Sequence, residues 1–298
     1  MIWNKIAQIF TPRKGPVDIQ SRFELLREAI TGTMSRFYMA RDRQTGEIVG
    51  LKIIDPVKMA QLEERFRGLK KPPEGEIAIR FQHPNIVRTF EYGWTTKGEP
   101  YIVMEYLTGG VLSHLLVAKD PRLEGIRLKI IRQAAEALAV VHEAGFIHHD
   151  ICPRNLFLLA DEDVVKLIDF GLTIPATPEF CRPGNRTGTP DYMAPEVARR
   201  QPVDQKLDIF SFGVTAYEIL TGQLPWPRGT TALNRGTTII AVMAHSRPGT
   251  DIRQYRPQIH PDLAKAIHAC IEPDPNRRCP SMRHFLAMIR KLEHEDIQ

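Results

Sequence analysis

Asp150, Asn155 five residues on, and Asp169 just before Phe170-Gly171 are the residues whose types and spacing best suit a reaction. Transfer of a phosphoryl group needs a carboxylate to orient the attacking hydroxyl and oxygen ligands to hold magnesium against phosphate. An Asp, an Asn and a second Asp in this order supply both. They stand in Phe146-Ile-His-His-Asp150-Ile-Cys-Pro-Arg-Asn155 and Val164-Val-Lys-Leu-Ile-Asp169-Phe-Gly171, and Gly188-Thr-Pro-Asp-Tyr-Met-Ala-Pro-Glu196 follows. One such segment alone carries little, whereas three in sequence argue against coincidence.

Elements must hold these residues in place. From Phe23 to Ile54 the chain runs in short stretches rich in β-branched and aromatic residues, with a hairpin turn at Arg43-Gln44-Thr45-Gly46. A helix is expected over Glu74–Gln82, strands over Ile86–Tyr92 and Tyr101–Glu105, and a linker at Thr108-Gly109-Gly110. Helices dominate from Leu112 on. The apolar positions Ile130, Ile131, Ala134, Ala137, Leu138 and Val141 predict one over Ile126–Ala144, closed by Gly145. Residues 1–10 place Ile2, Trp3, Ile6, Ile9 and Phe10 on one helical stripe, and Thr11–Pro16 breaks it. That stripe either docks on the domain, frays, or contacts a partner or membrane surface. No repeat or low-complexity tract is visible.

The 298 residues, 43% hydrophobic and 25% charged, fit one two-lobed domain or two small ones and exclude a fibrous or disordered chain. The net charge of +5 is spread rather than gathered in one run, so nucleic acid is not implied. Apolar stretches such as Ile209–Leu220 fall short of the roughly 20 residues a membrane-spanning helix needs. Cys152, Cys181, Cys270 and Cys279 show neither CxxC pairing nor zinc-ligand spacing, and the N-terminus lacks a secretory pattern; both suggest a reducing cytoplasm.

With these segments the chain resembles the eukaryotic-type protein kinase family over roughly residues 21–295. Further matching pieces are Val49-Gly-Leu-Lys52, His83-Pro-Asn-Ile-Val87, Val103-Met-Glu-Tyr106, Leu207-Asp208-Ile-Phe-Ser-Phe-Gly213 and Asp274-Pro-Asn-Arg-Arg278. The resemblance implies an α+β, bilobal fold. Its parts would be an N-terminal extension at 1–20, a small antiparallel N-lobe with one main helix at 21–107, and a mostly helical C-lobe at 108–298. It implies ATP as substrate and Mg2+ as cofactor, with Ser/Thr hydroxyls of proteins as acceptors. Lys52 would hold the α- and β-phosphates. Its carboxylate partner by family spacing is Glu74, with Glu76, Glu64 or Glu63 as alternatives because Pro72-Pro73 lets a helix begin only there. Asp150 would accept the substrate hydroxyl's hydrogen bond, and Asn155 and Asp169 would hold magnesium. Met104 would flank the adenine, which would pair with the Glu105 carbonyl and the Leu107 backbone. Glu196 with Arg278, and Asp208, would be structural braces.

Departures from the family pattern carry information too. The phosphate-covering loop reads Ile30-Thr-Gly32-Thr-Met-Ser35-Arg-Phe37, keeping only Gly32 of three glycines, which implies weaker ATP binding. His149 replaces the arginine that pairs bidentately with an activation-segment phosphate, so activity should not depend on phosphorylation between Asp169 and Glu196. Cys152 replaces the lysine of Ser/Thr kinases, a reactive thiol being its lesser alternative. Arg154 stands where some tyrosine kinases carry an arginine and would supply the missing cation. Thr189 favours Ser/Thr acceptors over Tyr. The rivals are a pseudokinase scaffold, a Tyr or dual-specificity kinase, and a small-molecule phosphotransferase. Arg182, Arg186, Arg199 and Arg200 read either as a solvated basic face or as a surface for acidic substrates.

Overall fold

The computed structural model describes residues 15–31, 34–184, 187–226 and 248–296. The stripe expected over residues 1–10, Gly32 and Arg186 lie outside them. Chain contacts divide the molecule into two units, Met1–Thr108 and Gly109–Gln298. The first is built on a sheet and the second mainly on helices, the α+β arrangement the sequence predicts.

In the first unit, α1 (Ile19–Arg22) leads into β1 (Phe23–Thr31), β2 (Ser35–Asp42) and β3 (Ile48–Ile54). Two short helices follow, α2 (Pro56–Glu63) and α3 (Glu74–Ala78), and then β4 (Thr89–Trp94) and β5 (Pro100–Glu105). The strands form one antiparallel sheet in the order β1-β2-β3-β5-β4. The turn after β2 falls at Arg43–Gly46: Gly46 takes φ +78° and donates to the Asp42 carbonyl at 2.7 Å. Alternation along β3 sends Val49, Leu51 and Ile53 into a core with Phe23, Tyr101 and Val103, and Lys52 to the opposite face. Arg22 is buried between Asp42 (2.8 Å) and Glu91 (2.6 Å), and the Tyr101 hydroxyl donates to Glu91. Burial of these charges is tolerable because each has a partner.

Three details differ from expectation. The helix beginning at Glu74 ends at Ala78, short of Gln82, since the His83-Pro84 turn takes the following residues, with Ile86 N donating to His83 O at 3.1 Å. The same turn delays β4 to Thr89, leaving Ile86 and Val87 buried but outside that strand. Helix α2 has no buried residue and so lacked an apolar period; Asp55 capping Val57 N at 2.9 Å ahead of Pro56 was its only signal.

The second unit opens on β6 (Gly109–Val111), α4 (Leu112–Ala118), α5 (Arg127–Glu143) and β7 (Phe146–Ile147). Then come β8 (Leu156–Leu159), β9 (Val165–Leu167), β10 (Ile174–Pro175) and α6 (Pro195–Ala198). Helices α7 (Lys206–Thr221), α8 (Pro261–Cys270) and α9 (Met282–Met288) complete it. The expected linker at Thr108–Gly110 is corrected: Gly109 and Gly110 belong to β6, which pairs with β8. Gly109 has φ +141° and lies so close to β8 that an added Cβ would stand 2.9 Å from Ala160 N, an approach only glycine permits. Helix α5 buries Leu128, Ile131, Ala135 and Leu138, and Gly145 follows it at φ +80°. Helix α7 is buried on all sides from Leu207 to Tyr217, the pattern of a central helix, and packs against α5 and α8. Among the described residues no helix is long and apolar enough to cross a membrane.

Candidate active site

The β7–β8 connection carries Asp150 and Asn155. Antiparallel pairing of Leu156 with Leu167 places Asn155 and Ile168 at the end of the β8–β9 ladder, and Ile168 N donates to Asn155 O at 3.0 Å. Asp169 is the next residue. Short strands thus bring together three residues spread over twenty positions of sequence.

Both oxygens of the Asp150 carboxylate are fixed. Oδ1 accepts from Thr189 N at 2.9 Å and from Thr189 Oγ1 at 2.6 Å; Oδ2 accepts from Asn155 Nδ2 at 2.9 Å. Asn155 Nδ2 also donates to the Asp150 carbonyl at 2.7 Å, so its amide nitrogen faces the loop and its oxygen is left for a ligand. Asp169 Oδ1 accepts from Gly171 N at 3.0 Å, which sets its rotamer at the start of the next turn. Hard oxygen donors on an amide and a carboxylate suit magnesium, which binds few protein oxygens and keeps the rest of its shell for water and phosphate.

The loop that presents Asp150 is strained and braced. His149 has φ +70°, uncommon for a residue with a side chain. Asp208, wholly buried on α7, accepts from His149 N at 2.8 Å, His148 N at 2.7 Å and His142 Nε2 at 2.9 Å. Burial pushes the Asp208 carboxyl up, but the His142 hydrogen bond and the neighbouring histidines outweigh it and hold the group below the usual carboxylate range. Gln205 adds bonds to the carbonyls of His142 (2.7 Å) and Phe146 (3.1 Å).

Around Asp150, Arg154 Nη2 donates to Thr189 Oγ1 at 2.7 Å. Burial opposes the Arg154 charge, yet Cys152 and Asp150 beside it raise its pKa above the ordinary value. Cys152 is fully buried, and burial pushes its thiol up, with Asp150 acting the same way. A buried thiol held protonated is a poor nucleophile, so the reactive-thiol alternative has no support here.

In the first unit, Lys52 Nζ meets Glu74 Oε1 at 2.6 Å, and the two side chains are 13% and 11% exposed. Of the alternative partners, Glu76 pairs with Arg80 at 2.9 Å and Glu64 with Arg67 at 3.0 Å. Lys71 is nearby: burial lowers its pKa while Glu74 and Glu63 pull it upward. Met104 and Glu105 lie at the end of β5, where Glu105 Oε1 accepts from Arg88 N at 2.7 Å; half-buried Leu107 follows in the irregular segment.

Glu196 and Arg278 form a bidentate pair in the second unit, at 2.6 and 3.0 Å, with Arg278 over the Phe210 ring. One contact had no sequence signal. Thr187 Oγ1 lies 3.3 Å from His149 Nδ1, both residues buried, which ties the segment before Thr189 to the loop that carries Asp150. Between Thr187 and Thr189, Gly188 adopts φ +115° and an added Cβ would stand 2.6 Å from the His149 carbonyl oxygen. The spacing of Thr187 from His149, 38 residues, is what hid it.

The family pattern described as "Protein kinase domain" matches residues 23–288. The chain is 29% identical over 272 residues to "Serine/threonine-protein kinase pkn3" of Myxococcus xanthus, covering 89% of this chain and 48% of that protein. It is 33% identical over 279 residues to "CBL-interacting protein kinase 25" of Oryza sativa subsp. japonica, covering 90% and 51%. To "Aurora kinase" of Saccharomyces cerevisiae it is 34% identical over 206 residues, covering 68% and 54%. The chain therefore spans about half the length of these curated relatives.

Proposed function

Because the chain belongs to the protein kinase domain family, we propose that it transfers the γ-phosphate of ATP to serine and threonine hydroxyls of protein substrates. The observation that carries this reading is the Asp150 carboxylate, held at both oxygens by Thr189 and Asn155 in a braced loop. A carboxylate so fixed can take the hydrogen bond of an incoming hydroxyl and aim it for in-line attack, which is most of what the protein must do in phosphoryl transfer. Lys52, made rigid by β3 and by Glu74, would neutralise the α- and β-phosphates. Asn155 and Asp169 would hold magnesium, whose charge when bound offsets that of the phosphate oxygens. Gly32, Glu105 and Leu107 complete the nucleotide contacts of this reading. Thr189 on Asp150 supports Ser/Thr over Tyr acceptors. Arg154, bonded to Thr189 and adjacent to Asp150, supports its role as the cation absent at Cys152. The intact Asp150–Asn155 and Lys52–Glu74 pairs favour an enzyme over a scaffold. A cytoplasmic location belongs to the same proposal and rests on cysteine usage.

Asp150→Ala should lower kcat about 100- to 10,000-fold, the range for loss of a positioned acid–base group, while ATP binding measured by calorimetry changes far less. Equal loss of binding and turnover would remove Asp150 from the chemical step.

A further inference from the structure

Helix α3 carries a glycine beside the residue that matters most in it. Gly75 follows Glu74 directly, at the second position of a five-residue helix, where glycine loses more backbone freedom on ordering than alanine would. Local propensity therefore argues against this residue, and packing explains it. An added Cβ would overlap the Cβ of Tyr92 and stand 2.7 Å from its Cγ. No rotamer change relieves that contact, because the Tyr92 Cβ is fixed to the backbone of β4. The sheet register extends the point: Tyr92 pairs with Ile102 on β5, and Ile102 pairs with Lys52 on β3. Residues directly opposite across strands share a face, so Tyr92 and Lys52 stand in one row on the same side of the sheet. Consecutive residues of α3 meet the two ends of this row, Gly75 at Tyr92 and Glu74 at Lys52. Ile77 and Ala78, both buried, hold the helix down.

We propose that Gly75 is a positioning residue whose missing side chain lets α3 seat on Tyr92, setting the height at which the Glu74 carboxylate reaches the Lys52 ammonium. A methyl group at this position lifts the helix and opens the pair. The pair's importance to turnover rests on the phosphotransfer reading above; its geometry does not.

The test uses the full chain as Gly75→Ala, Tyr92→Gly, the double variant and Glu74→Gln. Acylation of Lys52 by an N-hydroxysuccinimide acetate ester is followed peptide by peptide by mass spectrometry, with exposed Lys129 as internal reference. Gly75→Ala should speed Lys52 acylation about tenfold, and Glu74→Gln should do the same, through a larger open fraction of the pair. It should also lower kcat/KM about 10- to 100-fold, as misplacement near 1 Å does. Adding Tyr92→Gly should bring both values back to those of Tyr92→Gly alone. Unchanged Lys52 acylation in Gly75→Ala overturns the proposal, and so does a double variant still several-fold above Tyr92→Gly. The second comparison decides the matter even where Gly75→Ala alone does not fold. Should the wild-type protein transfer no phosphate, the kinase reading fails while the acylation rates still report on Gly75.

Discussion

Asp150 and Arg154 share one threonine, and that geometry gives the β7–β8 loop its character. Thr189 Oγ1 donates to Asp150 and accepts from Arg154, so one hydroxyl fixes the arginine beside the carboxylate; in the proposed reaction that arginine would face the transferred phosphate. A hydrogen bond involving a charged group is worth about 1.5–3 kcal/mol, so Arg154→Ala should cost about 10- to 100-fold in kcat. An unchanged rate in a phosphotransfer assay would reject compensation for Cys152. Asp150, Asn155 and Asp169 were legible in the sequence because their chemistry is specific and their spacing short. Thr187 and Gly75 were not. Each acts through a partner distant along the chain, His149 or Tyr92, and a threonine or glycine has no signature until that partner is known.

At the scale of elements, the described residues between Asp169 and Glu196 are tied down at three points. Thr187 bonds His149, Thr189 bonds Asp150, and Glu196 forms its bidentate pair with Arg278. Thr187 is already buried and so is a poor phosphate acceptor. Protein treated with phosphatase should turn over as fast as phosphorylated protein in parallel assays; a large gain on phosphorylation would contradict this. Arg278→Ala leaves Glu196 charged and buried, so it should cost about 3–5 kcal/mol of stability in urea unfolding. The long helix α5 and the β2–β3 hairpin were readable from period and turn chemistry, whereas α7, buried on all sides, has no amphipathic period and entered only through the family resemblance. The ends of α3 and β4 were not, since the turn at His83 settles them. Two glycines marked a linker in the sequence, yet both pair with β8 in strand β6, and at Gly109 the neighbouring backbone comes close enough that no side chain fits.

Across the whole molecule, the two units put sheet chemistry first and helical bracing second, and stability is coupled to the catalytic loop through buried histidine. Burial lowers the pKa of His148, although Asp208 and Asp150 pull it upward. Between that lowered value and the ordinary one near 6.5, the unfolded chain holds a proton that the folded chain does not, so stability rises with pH across this window. Acidification below about pH 6.5 should therefore destabilise the protein, by at most about 1.4 kcal/mol per pH unit for this one group. His148→Gln should flatten the slope of unfolding free energy between pH 5 and 6.5; an unchanged slope would assign the effect elsewhere. The passage from sheet to mostly helical chain was legible from the change in periodicity after Leu112, whereas the burial of the histidines was not, since it depends on Asp208 of α7 holding their backbone. The most direct measurement is transfer of radiolabelled γ-phosphate from ATP with magnesium to a mixed protein substrate, beside Asp169→Ala, with the labelled residues typed after hydrolysis. The account predicts label on phosphoserine or phosphothreonine that disappears in the variant. Equal label in wild type and a folded Asp169→Ala, or none in either, would contradict it.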